Sequence, residues 1–127
     1  MPAPLQITFR NMESSPALAT RIRQLTGRLK KFSDQITRCQ VVIEAPHHQR
    51  HEQGALFKCR VELGVPGREI VIDSTHTNDP AHQDAHVAVR DAFRAARRQL
   101  QDYEKIRRQE VKRHSQPQAP QSTWSET

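Results

Sequence analysis

Ala85, Val89, Ala92, Phe93, Ala96, Leu100 and Tyr103 fall on one side of a helical projection, at the three- and four-residue steps that build an apolar stripe. The spacing predicts an amphipathic helix running to about Arg108. Asp79-Pro80 supplies an N-cap and a first-turn proline, although the helix could begin as late as Asp84. A one-sided helix of this length needs an apolar surface to lie on, and the rest of the chain must provide it.

That surface is legible as alternation. Leu5, Ile7 and Phe9 alternate with Gln6, Thr8 and Arg10, the period of a half-buried strand. After the polar stretch Asn11 to Ser15, Ser15-Pro16 caps a helix whose apolar side is Leu18, Ile22, Leu25, Leu29 and Phe32. Gly27 inside it costs about 1 kcal/mol relative to alanine. Cys39, Val41, Ile43 and Ala45 alternate with Arg38, Gln40 and Glu44 until Pro46 ends the strand. Ala55, Phe57, Cys59, Val61 and Leu63 form the inward side of a third strand, with Lys58, Arg60 and Glu62 outward. Val65-Pro66-Gly67 is a tight turn, because proline pre-sets the first central residue and glycine takes positive φ at the second. Arg68 to Ser74 is the fourth strand, with Ile70 and Ile72 inward. The order is β-α-β-β-β-α, and the economical packing is a two-layer α+β sandwich with both helices on one face of a four-stranded, mostly antiparallel sheet. An antiparallel pairing of strands two and three centred near Gln49 sets Cys39 opposite Cys59. These are small core neighbours that stay reduced in a cytosol.

The 127 residues allow one core, in residues 1–113, and a tail, 114–127, rich in Pro, Gln and Ser. Trp124 is the only large apolar group of that tail, which is expected to be disordered. No apolar run approaches the ~20 residues of a membrane span. Met1–Arg10 lacks the basic segment and apolar stretch of a signal peptide, so a cytoplasmic location is expected. The two cysteines form no CxxC and point away from a structural zinc site.

Charge narrows the function. The formal net charge is +6 and the pI about 10.0, the balance that favours a polyanionic partner by steering and counterion release. On the last helix Arg90, Arg94, Arg97, Lys105, Arg108 and Lys112 share a narrow sector with Gln101, and Arg98 lies on its edge. Asp84, Asp91 and Asp102 sit apart from this line. A solvated helix end accounts for Lys105, Arg107, Arg108, Lys112 and Arg113, where the helix dipole favours cations, but not for Arg90, Arg94 and Arg97. A solubility face mixes signs; a line of arginines matches phosphate oxygens. Arg21, Arg28 and Lys31 on the first helix, with Arg23 and Lys30 nearby, join the same surface if both helices share one side of the sheet. Only 5% of residues are aromatic, which disfavours a base-stacking single-strand binder. Structured RNA read through phosphate and shape is the expected target.

Chemistry other than binding finds little support. His47, His48 and His51, beside Glu52, have an HHxxH spacing that binds zinc on a helix. Pro46 and Gly54 bracket them in a loop, so a metal site, and an enzyme built on it, is the weaker reading; the imidazoles beside Arg50 could instead touch RNA. His76, His82 and His86 flank the last helix without a nucleophile or acid to complete a triad. Four glycines leave no phosphate-cradling loop. The expectation is a non-enzyme without cofactor, metal or small-molecule substrate.

Several segments resemble the ribosome hibernation-promoting factor family, also called ribosome-associated inhibitors or sigma-54 modulation proteins. They are Leu5 to Met12, Ser15 to Leu18, Val65 to Ile70, and Gln83 to Phe93 running into Ala96-Arg97-Arg98-Gln99-Leu100. The last is the most specific and is similar to the family's Asp-x-Tyr-x-Ala-Ile helix entry and Arg-Gln-Leu segment. The resemblance covers about residues 5–113. It implies a fold similar to double-stranded-RNA-binding domains. It also implies a partner, the small ribosomal subunit and its ribosomal RNA, met between head and body at the tRNA and mRNA positions of the decoding region. The outcome would be inhibited translation and stabilised idle ribosomes. Transferred by position, RNA contact falls on Arg90, Arg94, Arg97, Arg98, Lys105, Arg107 and Arg108, extended by Lys112, with Arg21, Arg28 and Lys31 on the first helix. His86 stands where the family has tyrosine. The chain resembles the short form, lacking the further domain that pairs two ribosomes, and is expected to be a monomer off the ribosome. The alternatives are a structured-RNA-binding module without ribosome preference and a transcription regulator acting by protein contact.

Overall fold

The computed structural model describes residues 4–46, 56–73 and 80–115. The elements follow in the order β1 (Leu5–Arg10), α1 (Pro16–Phe32), β2 (Arg38–Glu44), β3 (Lys58–Val65), β4 (Arg68–Asp73) and α2 (Ala85–Ser115), with a 3-10 turn at Pro80–Gln83 before the last helix. The strands lie side by side in the order β1-β2-β3-β4. β1 pairs with β2 in parallel, and the other two pairings are antiparallel. A parallel pair needs a long crossover, and α1 is that crossover.

One face of this sheet carries the core. Cys39, Val41 and Ile43 of β2, Cys59, Val61 and Leu63 of β3, and Ile70 and Ile72 of β4 pack with Leu18, Ile22, Leu25 and Leu29 of α1 and Val89, Ala92, Phe93, Ala96, Leu100 and Tyr103 of α2. Both helices therefore bury their stripes against the same side. The opposite face carries Val42 and Val71 among ladder-paired charges: Arg60 bridges Glu62 at 2.7 Å and Asp73 at 3.0 Å, and Arg38 pairs with Glu69.

The junctions are fixed by specific polar contacts. Ser15 accepts from the Leu18 amide at 3.2 Å and Pro16 occupies the first turn of α1, satisfying a donor the helix leaves open. Asn11 adopts a left-handed φ of 60°, a conformation asparagine tolerates better than most residues. Its side-chain amide donates to the carbonyls of Ala45 and Pro46, both at 3.2 Å, joining the exits of β1 and β2. Gly67 has φ 85° in the Pro66-Gly67 hairpin turn, as the turn signal requires. Tyr103 donates its hydroxyl to the Pro66 carbonyl at 2.9 Å, pinning that turn to α2.

Four details depart from the sequence reading. Cys39 lies opposite Leu63, and Cys59 opposite Ile43; the pairing is centred two residues later than Gln49, so the thiols are not cross-strand partners. Both are buried thiols, outside any disulfide. The last α-helix starts at Ala85, with the Asp84 carboxylate accepting from the His86 amide at 2.8 Å, because the Pro80 segment turns tightly first. It continues past Arg108 to Ser115. β3 begins at Lys58, which leaves Phe57 just outside the ladder, its amide donating to the His82 carbonyl at 2.9 Å. The calls on His47, His48, His51 and Glu52, on Ala55, Ser74, His76 and Asp79, and on the tail from residue 116 lie outside the described residues, as do the side chains of Lys112 and Arg113.

Candidate nucleic-acid interface

Where α1 and α2 lie side by side, their polar edges open into a groove of about 190 Å³. Leu25, Leu29 and Phe93 form its floor, and Arg21, Arg28, Arg90, Arg94 and Arg97 stand around it. Each helix contributes because its cations flank its apolar stripe: Arg21 and Arg28 border Leu25 and Leu29, and Arg90, Arg94 and Arg97 border Phe93. Packing the two stripes on one sheet face brings those borders together. The result is a cationic rim over an apolar base, a form suited to anions carrying an apolar face.

The rim is partly pre-ordered. Arg97 Cζ lies 4.9 Å from the centroid of the half-buried Phe32 ring, within the range of a cation–π contact. Asp91 does not stand apart from the arginines. Its carboxylate is 3.3 Å from Arg90 and 4.0 Å from Arg94; Arg94 is its neighbour three residues on along the helix face, and the long Arg90 side chain bends back to it. The buried His82 holds the other Asp91 oxygen, with Nε2 to Oδ2 at 2.8 Å. Burial pushes the Asp91 carboxyl upward, but the His82 and Arg90 hydrogen bonds and charges outweigh it and hold it below the ordinary carboxylate value. Asp91 is therefore ionised at neutral pH, and the imidazole donates to it.

The remaining cations differ in place. Lys31, Arg98, Lys105 and Arg108 are exposed but do not line the groove. Arg107 turns to Glu104 at 3.7 Å. Arg23 lines a different groove, with Ile7, Phe9 and Pro16 between β1 and α1. Two groups that shape the interface had no sequence signal. The 3-10 turn that buries His82 against α2 is set by tertiary packing, and Glu104, buried on α2, accepts from the hydroxyl of Ser33 at the C-cap of α1. Among the described residues no group of three or more His, Cys, Asp and Glu could hold a metal ion, and no helix is long and apolar enough to cross a membrane.

Two helices over one face of a mixed four-stranded sheet in this order define a two-layer domain of the type seen in ribosomal subunit interface proteins. A ribosomal subunit interface protein from Coxiella burnetii shares the fold with a TM-score of 0.58 at 16% identity, over 80% of this chain and 98% of its own. The Thermus thermophilus Protein Y N-terminal domain does so with a TM-score of 0.59 at 17% identity, over 77% of this chain and 94% of its own. No curated protein sequence matches significantly. The chain belongs to the Sigma 54 modulation protein / S30EA ribosomal protein family, whose sequence profile matches residues 5–108.

Proposed function

We infer that this chain is a ribosome-associated factor that lays its inter-helix groove on ribosomal RNA of the small subunit, at the decoding region, and inhibits translation while stabilising idle ribosomes. The observation that carries this reading is the convergence of five arginines from two helices on one groove. A single solvated helix face would not require the second helix to contribute. The family and the shared fold with a ribosomal subunit interface protein supply the ribosome as partner; the arginine forks supply the means of holding its phosphates. Arg98, Lys105, Arg107 and Arg108, with Lys112, extend the contact along α2, and Lys31 extends it along α1. The factor works in the cytoplasm as a monomer off the ribosome, without metal, cofactor or catalysis.

Co-sedimentation with small subunits across a salt series tests the reading. The wild-type chain is expected to co-sediment and to be released steeply as salt rises. Arg94→Glu combined with Arg97→Glu is expected to abolish pelleting while leaving the circular dichroism spectrum intact. Unchanged pelleting of the double variant sinks it. Equal competition by an unrelated duplex RNA would replace the ribosome with structured RNA in general.

A further inference from the structure

The groove is more than a row of charges. Between its cations lies an apolar base, where the edges of the core residues Leu25, Leu29 and Phe93 reach the surface. Its volume of about 190 Å³ lies well below the ~300–1,000 Å³ of sites that enclose drug-sized ligands. It suits one ring system. Arg97 supplies one wall: its Cζ lies over the Phe32 ring, 4.9 Å from the centroid, and the same residue lines the groove. A guanidinium held over a ring is restricted in its rotation and has its other side left for a ligand. Unstacked RNA bases rest on aromatic rings or arginine planes.

We propose that the groove seats one unpaired base of the bound RNA, stacked on Arg97, with Phe32 acting as the positioning residue that holds the guanidinium plane. Arg21 and Arg90 take the phosphates on either side of that nucleotide. The recognised element is therefore a bulge or loop nucleotide within a structured RNA, not a continuous duplex. This deepens the low-aromatic reading of the sequence, because the stacking platform is an arginine backed by a phenylalanine and no exposed aromatic is needed. The proposal rests on the groove being an RNA site, and its test separates the two.

Three RNA hairpins serve as probes: one fully paired, one with a single unpaired adenosine in the stem, and one with an abasic nucleotide at that bulge. The abasic hairpin keeps the bend of the bulge and removes the base. The wild-type chain is expected to bind the adenosine bulge ~5- to 150-fold more tightly than the abasic one, the span that loss of one stacked base produces. 2-Aminopurine in the bulge is expected to change its emission on binding. Phe32→Leu keeps an apolar side chain but removes the ring under Arg97, and Arg97→Lys keeps charge but removes the plane. Both are expected to bring the adenosine-to-abasic ratio close to one. Equal wild-type affinity for the adenosine and abasic bulges overturns the base seat while leaving the RNA site standing. A ratio untouched by Phe32→Leu overturns the role of Phe32. Failure to bind any of the three hairpins overturns the base seat, whereas loss of co-sedimentation with small subunits is what overturns the RNA site.

Discussion

Truncating Arg94 to alanine gives a quantitative test of whether the groove meets phosphates. Its side chain is 67% exposed, and its approach to Asp91 is a loose 4.0 Å, so its loss is not expected to disturb the core. Five arginines line the groove, and with Arg97 under a base four remain for phosphates. If each of the four neutralises one phosphate, the logarithm of the binding constant falls against the logarithm of salt with a slope of about −3.6 from these residues. Over about 50 to 200 mM salt this is a weakening of about 150-fold. Removing one contact reduces the slope by about 0.9 and the weakening to about 40-fold. Cations elsewhere on α2 steepen both slopes alike, so the difference is the informative quantity. Anisotropy of a labelled structured RNA, titrated at several salt concentrations, reads it directly. Arg23→Ala, in the separate groove beside β1, serves as the control. Equal slopes for wild type and Arg94→Ala, or an equal drop in the Arg23 variant, would refute the phosphate-groove reasoning.

The other expectations concern the scaffold. Gly27→Ala should stabilise the domain by about 0.5–1 kcal/mol in urea unfolding, because a Cβ there meets nothing within 4 Å and alanine is the better helix residue; a loss of stability would contradict the regular helix. Glu104→Ala leaves the buried Ser33 hydroxyl without its acceptor and should cost about 1–3 kcal/mol, whereas Glu104→Gln should recover part of it. Burial pushes the Cys59 thiol up to about 12 and raises Cys39 against the smaller effects of Thr26 and Lys30. A thiol of raised pKa carries little thiolate at pH 8. Neither cysteine should react with a thiol-exchange reagent until denaturant is added, and fast labelling of the native protein would contradict their burial.

Much of the fold was written in local patterns. Val41 and Ile43, Val61 and Leu63, and Ile70 and Ile72 alternate cleanly, and the Ser15-Pro16 and Pro66-Gly67 signals fixed where the chain turns. The pairing of β2 with β3 was not legible for a definite reason. Moving Cys39 from opposite Cys59 to opposite Leu63 is an even shift, and an even shift leaves every side chain on its own face. Alternation cannot detect it. The helical projection put Arg90, Arg94 and Arg97 on one sector, yet it treated Asp91 as remote. A projection records Cα directions and ignores the reach of a carboxylate one residue away. The contribution of Arg21 and Arg28 depended on how two helices pack, as did the burial of His82 and Glu104, and no single-helix pattern contains that information.

The crowding of five guanidinium groups around one small groove also bears on the unbound protein. Like charges held close oppose the compact state, and the ionised Asp91 offsets only part of that repulsion. Added salt screens it. Raising ionic strength is thus expected to increase the melting temperature of the free domain over the same range in which it loosens the RNA complex. Bound RNA acts on stability in the sense opposite to added salt, raising the melting temperature most where salt is lowest and the complex tightest. The domain is then least secure when alone in dilute salt, and its partner supplies the missing counter-charge.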